Sequence, residues 1–135
     1  MKLIKLFTIF TMLAAFYSAS AQAQTMGGVY ELRTYHTHEG KLEPLLTRFN
    51  DYEVALFNKH GMESVGYFVS MDQPNTLVYI LKHKSRESAA QSWKGFFDDP
   101  EWKKVAEESK NKDGQLLDSA PVVVFLSPTM FSPLK

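Results

Sequence analysis

No cysteine occurs anywhere in the 135 residues. Disulfides, thiolate metal ligands and thiol catalysis are therefore excluded, and stability rests on packing alone. A surplus of either charge is also missing, since 15 Lys and Arg face 15 Asp and Glu. With no basic excess, nucleic acid and anionic membrane surfaces are not the expected partners. Glycine is sparse, at 7 residues, and neither a Gly-rich phosphate loop nor a G-x-S-x-G elbow is present. The 4 histidines form no H-x-x-x-H pattern. His36 and His38 stand two apart but lack a third ligand nearby, so no metal and no cofactor is expected.

Long apolar runs are absent with one exception, Leu6 to Tyr17 near the start. That run follows Lys2 and Lys5 and precedes Ala19-Ser20-Ala21 and Ala21-Gln22-Ala23, both small-x-small cleavage patterns. It is short for a membrane span. Residues 1–23 read as a secretory signal peptide, cleaved after Ala21 or Ala23, with an uncleaved anchor as the other reading. The expected product is exported, periplasmic or secreted, with no membrane attachment after cleavage. Residues 24–135 then make one domain. Without Lys2 and Lys5 it carries 13 basic and 15 acidic residues, a net charge of −2.

What is present is a clear alternation of periods. Val29 to Thr37 alternates and is rich in Tyr, Thr and Val, which predicts a strand. Leu42, Leu45, Leu46, Phe49, Tyr52, Leu56 and Phe57 recur at three- and four-residue steps, which predicts a helix that Gly61 stops. Residues 62–71 and 76–83 predict a hairpin about Asp72-Gln73-Pro74-Asn75. Ser85 is a candidate N-cap for a helix whose apolar side holds Ala89, Trp93, Phe96 and Phe97. Asp99-Pro100-Glu101 predicts the start of another, with Trp102, Val105 and Ala106 inward. Both tryptophans read as core. His60 reads as a helix-end cation. Residues 121–126 form a last strand, and Pro128 and Pro133 keep the tail from being helical.

The order β-α-β-β-α-α-β predicts an α+β ferredoxin-like sandwich, a four-stranded antiparallel sheet with helices on one face. Tyr30, Leu32 and Thr34 look like the core-facing side of the first strand. Glu31, Arg33 and Tyr35 then belong to the opposite face, with Tyr79, Leu81 and His83 from the third strand and Tyr67 or Phe68 from the second. Such a face is too apolar to leave in water. A second copy packed sheet to sheet is the economical cover.

The stretches "YELRTYHTHEGKL", "HGMESVGYF", "DPEW" and "PTMFSPLK" resemble the NIPSNAP family from about Val29 to Lys135. The resemblance implies a homodimeric α/β-barrel in which two ferredoxin-like sheets face each other. Related barrels include monooxygenases of aromatic compounds and haem-binding or haem-degrading proteins. The leader departs from the family pattern, as does Leu81 where the family often shows Trp.

On that reading the cavity between the two sheets binds a small apolar or aromatic molecule. Arg33 is the expected oxyanion partner, and His83 or Tyr79 the acid–base group of a cofactor-free oxygenase or isomerase. Glu31, Tyr35, Phe68 and Leu81 are the expected ligand-binding residues. Alternatively, Glu31 and Arg33 merely pair with each other. The domain is then a non-catalytic haem- or lipid-binding module, with His60 or His83 as haem ligand by analogy, or a structural interaction domain.

Overall fold

A computed structural model describes residues 27–135. The expected leader, residues 1–23, lies outside them. Four strands form one antiparallel sheet: β1 (Val29–His36), β2 (Glu63–Val69), β3 (Thr76–His83) and β4 (Val122–Leu126), in the order β2-β3-β1-β4. Between β1 and β2 run α1 (Leu42–Arg48) and α2 (Val54–Lys59). Between β3 and β4 run α3 (Arg86–Asp98) and α4 (Pro100–Asp113). This is the ferredoxin-like arrangement expected from the order of elements.

Helices α1 and α2 are one continuous rod joined through a π-helical turn, Phe49–Glu53. The inward positions are Leu45, Phe49, Glu53, Leu56 and Phe57. The widened turn favours the residue four after Phe49 over the residue three after it. Tyr52, expected inward, is therefore exposed, and Glu53 takes its place. The rod ends as a Schellman motif. Gly61 N–H donates to Asn58 O and Met62 N–H to Phe57 O, with Gly61 at φ 75°.

Ser85 caps α3 by accepting from Ser88 N–H, and Asp99 caps α4 by accepting from Glu101 N–H. Asp99 also accepts from Lys59 and His60, so the start of α4 is tied to the end of α2.

The register corrects the assignment of sheet faces. Glu31 pairs with Leu81, Arg33 with Tyr79 and Tyr35 with Leu77. This set faces the helices: Tyr35 packs edge-on to Phe49, Tyr79 stacks on Phe57, and Arg33 lies over Trp93. Tyr30, Leu32 and Thr34 face the other way, beside Lys82, Ile80 and Val78 on one flank and Leu126, Val124 and Val122 on the other. The alternation expected from the sequence holds, with the two faces exchanged. An aromatic core can accept a charged pair when the two charges bond each other, as Glu31 and Arg33 do here.

A bulge at Val65 shifts the β2 register, so Tyr67 lies opposite Tyr79 and joins the core while Phe68 lies opposite Val78 on the open face. The Phe68 ring lies close over Gly66, where an added Cβ would come within 2.7 Å of it. The chain end crosses one margin of that face, and Tyr30 Oη donates to the backbone oxygen of Lys135.

Candidate functional site

Glu31 is the hub beneath the site. Its side chain accepts from Arg33 Nη1 at 2.7 Å, His83 Nε2 at 2.7 Å and Trp93 Nε1 at 2.8 Å. Burial works to raise its carboxyl pKa, but the bonds from His83, Trp93 and Arg33 outweigh burial and leave it below its ordinary value. An ionised Glu31 requires His83 Nε2 to be the donor. His83 Nδ1 is then buried without a partner.

Arg33 is held on three sides. Nη1 is spent on Glu31, and the guanidinium carbon stands 4.2 Å from the Trp93 ring centre and 5.7 Å from that of Tyr35. Its Nε is buried and makes no hydrogen bond. Burial acts against its charge, and the Glu31 carboxylate bonded to it favours the charge, so it stays cationic. Behind it, Tyr79 Oη donates to Tyr35 Oη at 2.8 Å, and burial pushes both phenols up.

In front of Arg33 is a chamber of about 190 Å³ between the sheet and the helices. Its walls include Tyr35, Trp93, Phe96, Phe97 and Trp102, and Arg33, Arg48 and Glu53 supply its polar groups. Arg48 lies 5.2 Å from the Trp102 ring centre and donates from Nε to Glu53 Oε1 at 2.6 Å. Burial raises the Glu53 carboxyl to about 7, against the opposing pull of Arg48 and Arg33. Two carboxyls thus stand near one guanidinium with opposite shifts. Glu31 is ionised and fully engaged. Glu53 titrates near neutrality.

Of the residues expected at the site, Arg33 and Tyr35 line this chamber, and Glu31 positions Arg33 from behind. Tyr79 is fully buried and reaches the chamber only through Tyr35. His83 is buried behind Glu31, away from this chamber, and borders a separate surface hollow with Gly28, Gly61 and Lys82. Leu81 is core, and Phe68 is 57% exposed on the opposite face. The expectation of one site on the open face is therefore corrected, because these residues divide between the two sides of the sheet. The Glu31–Arg33 pair is present as anticipated. The tryptophans are inward as expected, but they are also chamber walls.

The residue pattern does not mark Glu53 and Arg48 as site residues, and Phe97, expected on the apolar side of α3, is 52% exposed at the chamber's edge. Glu53 lies four residues after Phe49 and three before Leu56, on the helical stripe, and that spacing was the available signal. His60 bonds Asp99 at the helix junction, and His36 Nδ1 meets Thr76 Oγ1 at 3.0 Å. Among the described residues no group of three or more His, Asp or Glu could hold a metal ion.

The NIPSNAP family model matches residues 30–133. A NIPSNAP family protein of unknown function from Agrobacterium tumefaciens is 26% identical, with a TM-score of 0.69 over 81% of this chain and 95% of that one. A NIPSNAP-like domain protein from Burkholderia xenovorans is 24% identical, with a TM-score of 0.67 over 78% and 88%. A monooxygenase from Streptomyces coelicolor, solved in complex with nanaomycin D, shares the fold at 17% identity, with a TM-score of 0.56 over 76% and 88%. No curated protein matches the chain.

Proposed function

Because the chain belongs to the NIPSNAP family, we propose that it acts, after export, as a homodimer that binds a small planar aromatic acid in the chamber between its own sheet and helices. One observation carries the reading: Arg33 faces an aromatic chamber with a buried Nε that has no partner. An unsatisfied buried donor costs about 1–3 kcal/mol. A ligand oxygen that meets the guanidinium as its side chain shifts would remove that cost. The Trp93 and Tyr35 rings hold the guanidinium in place, so little order is lost when it engages a carboxylate or phenolate.

The chamber sets the size. A dry cavity of about 150 Å³ accommodates benzene, so about 190 Å³ suits one aromatic ring with a short acidic arm. The likeness to the Streptomyces monooxygenase supports the choice of a fold that encloses small molecules.

Benzoate is the probe, with neutral benzamide as the control, and tryptophan fluorescence is the readout because Trp93 and Trp102 line the chamber. Wild type should bind benzoate more tightly than benzamide. Arg33→Met should weaken benzoate by roughly 10- to 100-fold, the range of a charge-assisted hydrogen bond, and leave benzamide nearly unchanged. Equal benzoate affinity in wild type and a folded Arg33→Met variant would falsify the reading.

A further inference from the structure

The chamber holds a carboxyl that ligand binding alone does not require. Glu53 is 3% exposed and sits in the π-helical turn, a distortion that recurs at functional sites. Arg48 engages its Oε1, while among the described residues Oε2 accepts no hydrogen bond. Arg33 lines the same chamber, and its Nε is buried without a partner. Resting on the chamber reading above, we propose that Glu53 is the proton acceptor of an enolising site, which takes an aryl-substituted α-keto acid or similar carbonyl compound with its carbonyl oxygen at Arg33 and its activated C–H at Glu53.

The step balances within the site. The C–H bond next to the carbonyl breaks, and its proton passes to Glu53 Oε2. The freed pair forms the carbon–carbon double bond, and the carbonyl π pair moves onto oxygen. Arg33 donates to that oxygen as charge develops there. Returning the proton from Glu53 to the oxygen gives the enol, and to the carbon restores the ketone. No oxidant, metal or second reactant is consumed.

The two carboxyls divide the work by environment. Glu31, with three donors, cannot take a proton cheaply and serves to position Arg33. Glu53, with one donor and strong burial, exchanges a proton near neutral pH. The ionisable groups around it are Arg48 from α1, Arg33 and Tyr35 from β1, Tyr67 from β2 and Tyr79 from β3. Both arginines favour its ionised form, and the phenols remain neutral across the relevant range.

Phenylpyruvate in deuterated buffer is the probe. Loss of its benzylic proton signal by NMR reports enolisation, and tryptophan fluorescence reports binding. Wild type should accelerate exchange over buffer, with a rate that rises through about pH 7 and then levels as Glu53 ionises. Glu53→Gln should lose about 100-fold or more of that rate, with phenylpyruvate affinity within roughly threefold of wild type. Should Glu53→Gln fail to fold, Glu53→Asp and the wild-type pH profile decide instead: unchanged exchange in Glu53→Asp, or a rate flat from about pH 5 to 9, overturns the proposal. Binding without accelerated exchange, or full exchange activity in Glu53→Gln, also overturns it and leaves the chamber reading standing. Failure of wild type to bind either phenylpyruvate or benzoate overturns both.

Discussion

Glu31 and Glu53 show how two identical side chains acquire different chemistry from their neighbours. Both are nearly inaccessible to solvent. The difference lies in donors, three for Glu31 and one for Glu53. The consequence for stability is testable through linkage. Glu53 has a folded pKa of about 7 against an ordinary value of 4.5. Between those values the folded state holds a proton that the unfolded state has released, so this group makes the fold less stable as pH rises from 4.5 to 7. At 1.36 kcal/mol per unit the full effect is roughly 3 kcal/mol. Glu31 has the opposite sign: its pKa is depressed, so its contribution is present above the ordinary carboxylate value and is lost on acidification. Urea unfolding of wild type and Glu53→Gln at pH 4.5 and pH 8 isolates the first effect. The stability difference should move against wild type by up to about 3 kcal/mol between the two conditions. A difference independent of pH would mean that Glu53 is not shifted. In the sequence, Glu31 and Arg33 stood out because charges two apart interrupt an aromatic strand. Glu53 did not: it holds a stripe position by spacing, but Tyr52 one residue earlier is the more apolar choice unless a π turn shifts the register.

At the level of elements, helix starts and stops were the most readable features, because capping is local chemistry. Ser85, Asp99-Pro100 and Gly61 each act where their side chain or backbone freedom suggests. Sheet polarity was less readable. A two-residue period says which side chains share a face and not which face is buried, and in β1 both faces carry large or apolar groups. The choice was settled by helix partners far along the chain, Trp93 for Arg33 and Phe49 for Tyr35, which no local window contains. The α2–α4 junction gives a prediction at this scale. Asp99 caps α4 and accepts from Lys59 and His60, and those bonds hold its carboxyl well below its ordinary value. Asp99→Ala removes the cap and the tie to α2 together and should lower Tm by roughly 5 °C. Asp99→Asn keeps a cap acceptor but loses the charge, so it should fall between. Because the pKa is depressed, the excess stability of wild type over Asp99→Asn should start to shrink as pH falls below the ordinary Asp value of 3.8, and should be lost fully only below the depressed folded-state value, so it is smaller at pH 3 than at pH 7. Thermal melts of the three proteins at pH 7 and pH 3 check this. An Asn variant as unstable as the Ala variant at both pH values would show that the acceptor geometry counts for nothing.

At the scale of the whole molecule, the reversal of sheet polarity separates two roles that the sequence had merged. Arg33 and its neighbours belong to a chamber within one chain, whereas the open face is mostly apolar, with Lys82 and Glu63 at one end, and suits packing. That face carries Leu32, Ile80, Val124 and Leu126, and Phe68, Val122, Val124 and Leu126 are each more than two-fifths exposed. A domain of this size gains much by covering such a surface, and a self-complementary sheet face suits a two-fold partner. The chamber need not wait for that partner, since the walls named above come from one chain. Dimerisation and benzoate binding are therefore expected to separate. Leu32→Glu with Val124→Glu places two like charges side by side in a register pair at the centre of the face and should convert a dimer into a folded monomer that still binds benzoate. Sedimentation of wild type and variant gives the stoichiometry. Native mass spectrometry of wild type recovered after export reports it again, together with a mass beginning at Gln22 or Gln24 if the leader is removed. A wild type that sediments as a monomer at about 10 μM, tenfold above a micromolar Kd, would refute the sheet-to-sheet pairing. A variant that loses dimerisation and benzoate binding together, while remaining folded, would show that the chamber is completed only in the pair.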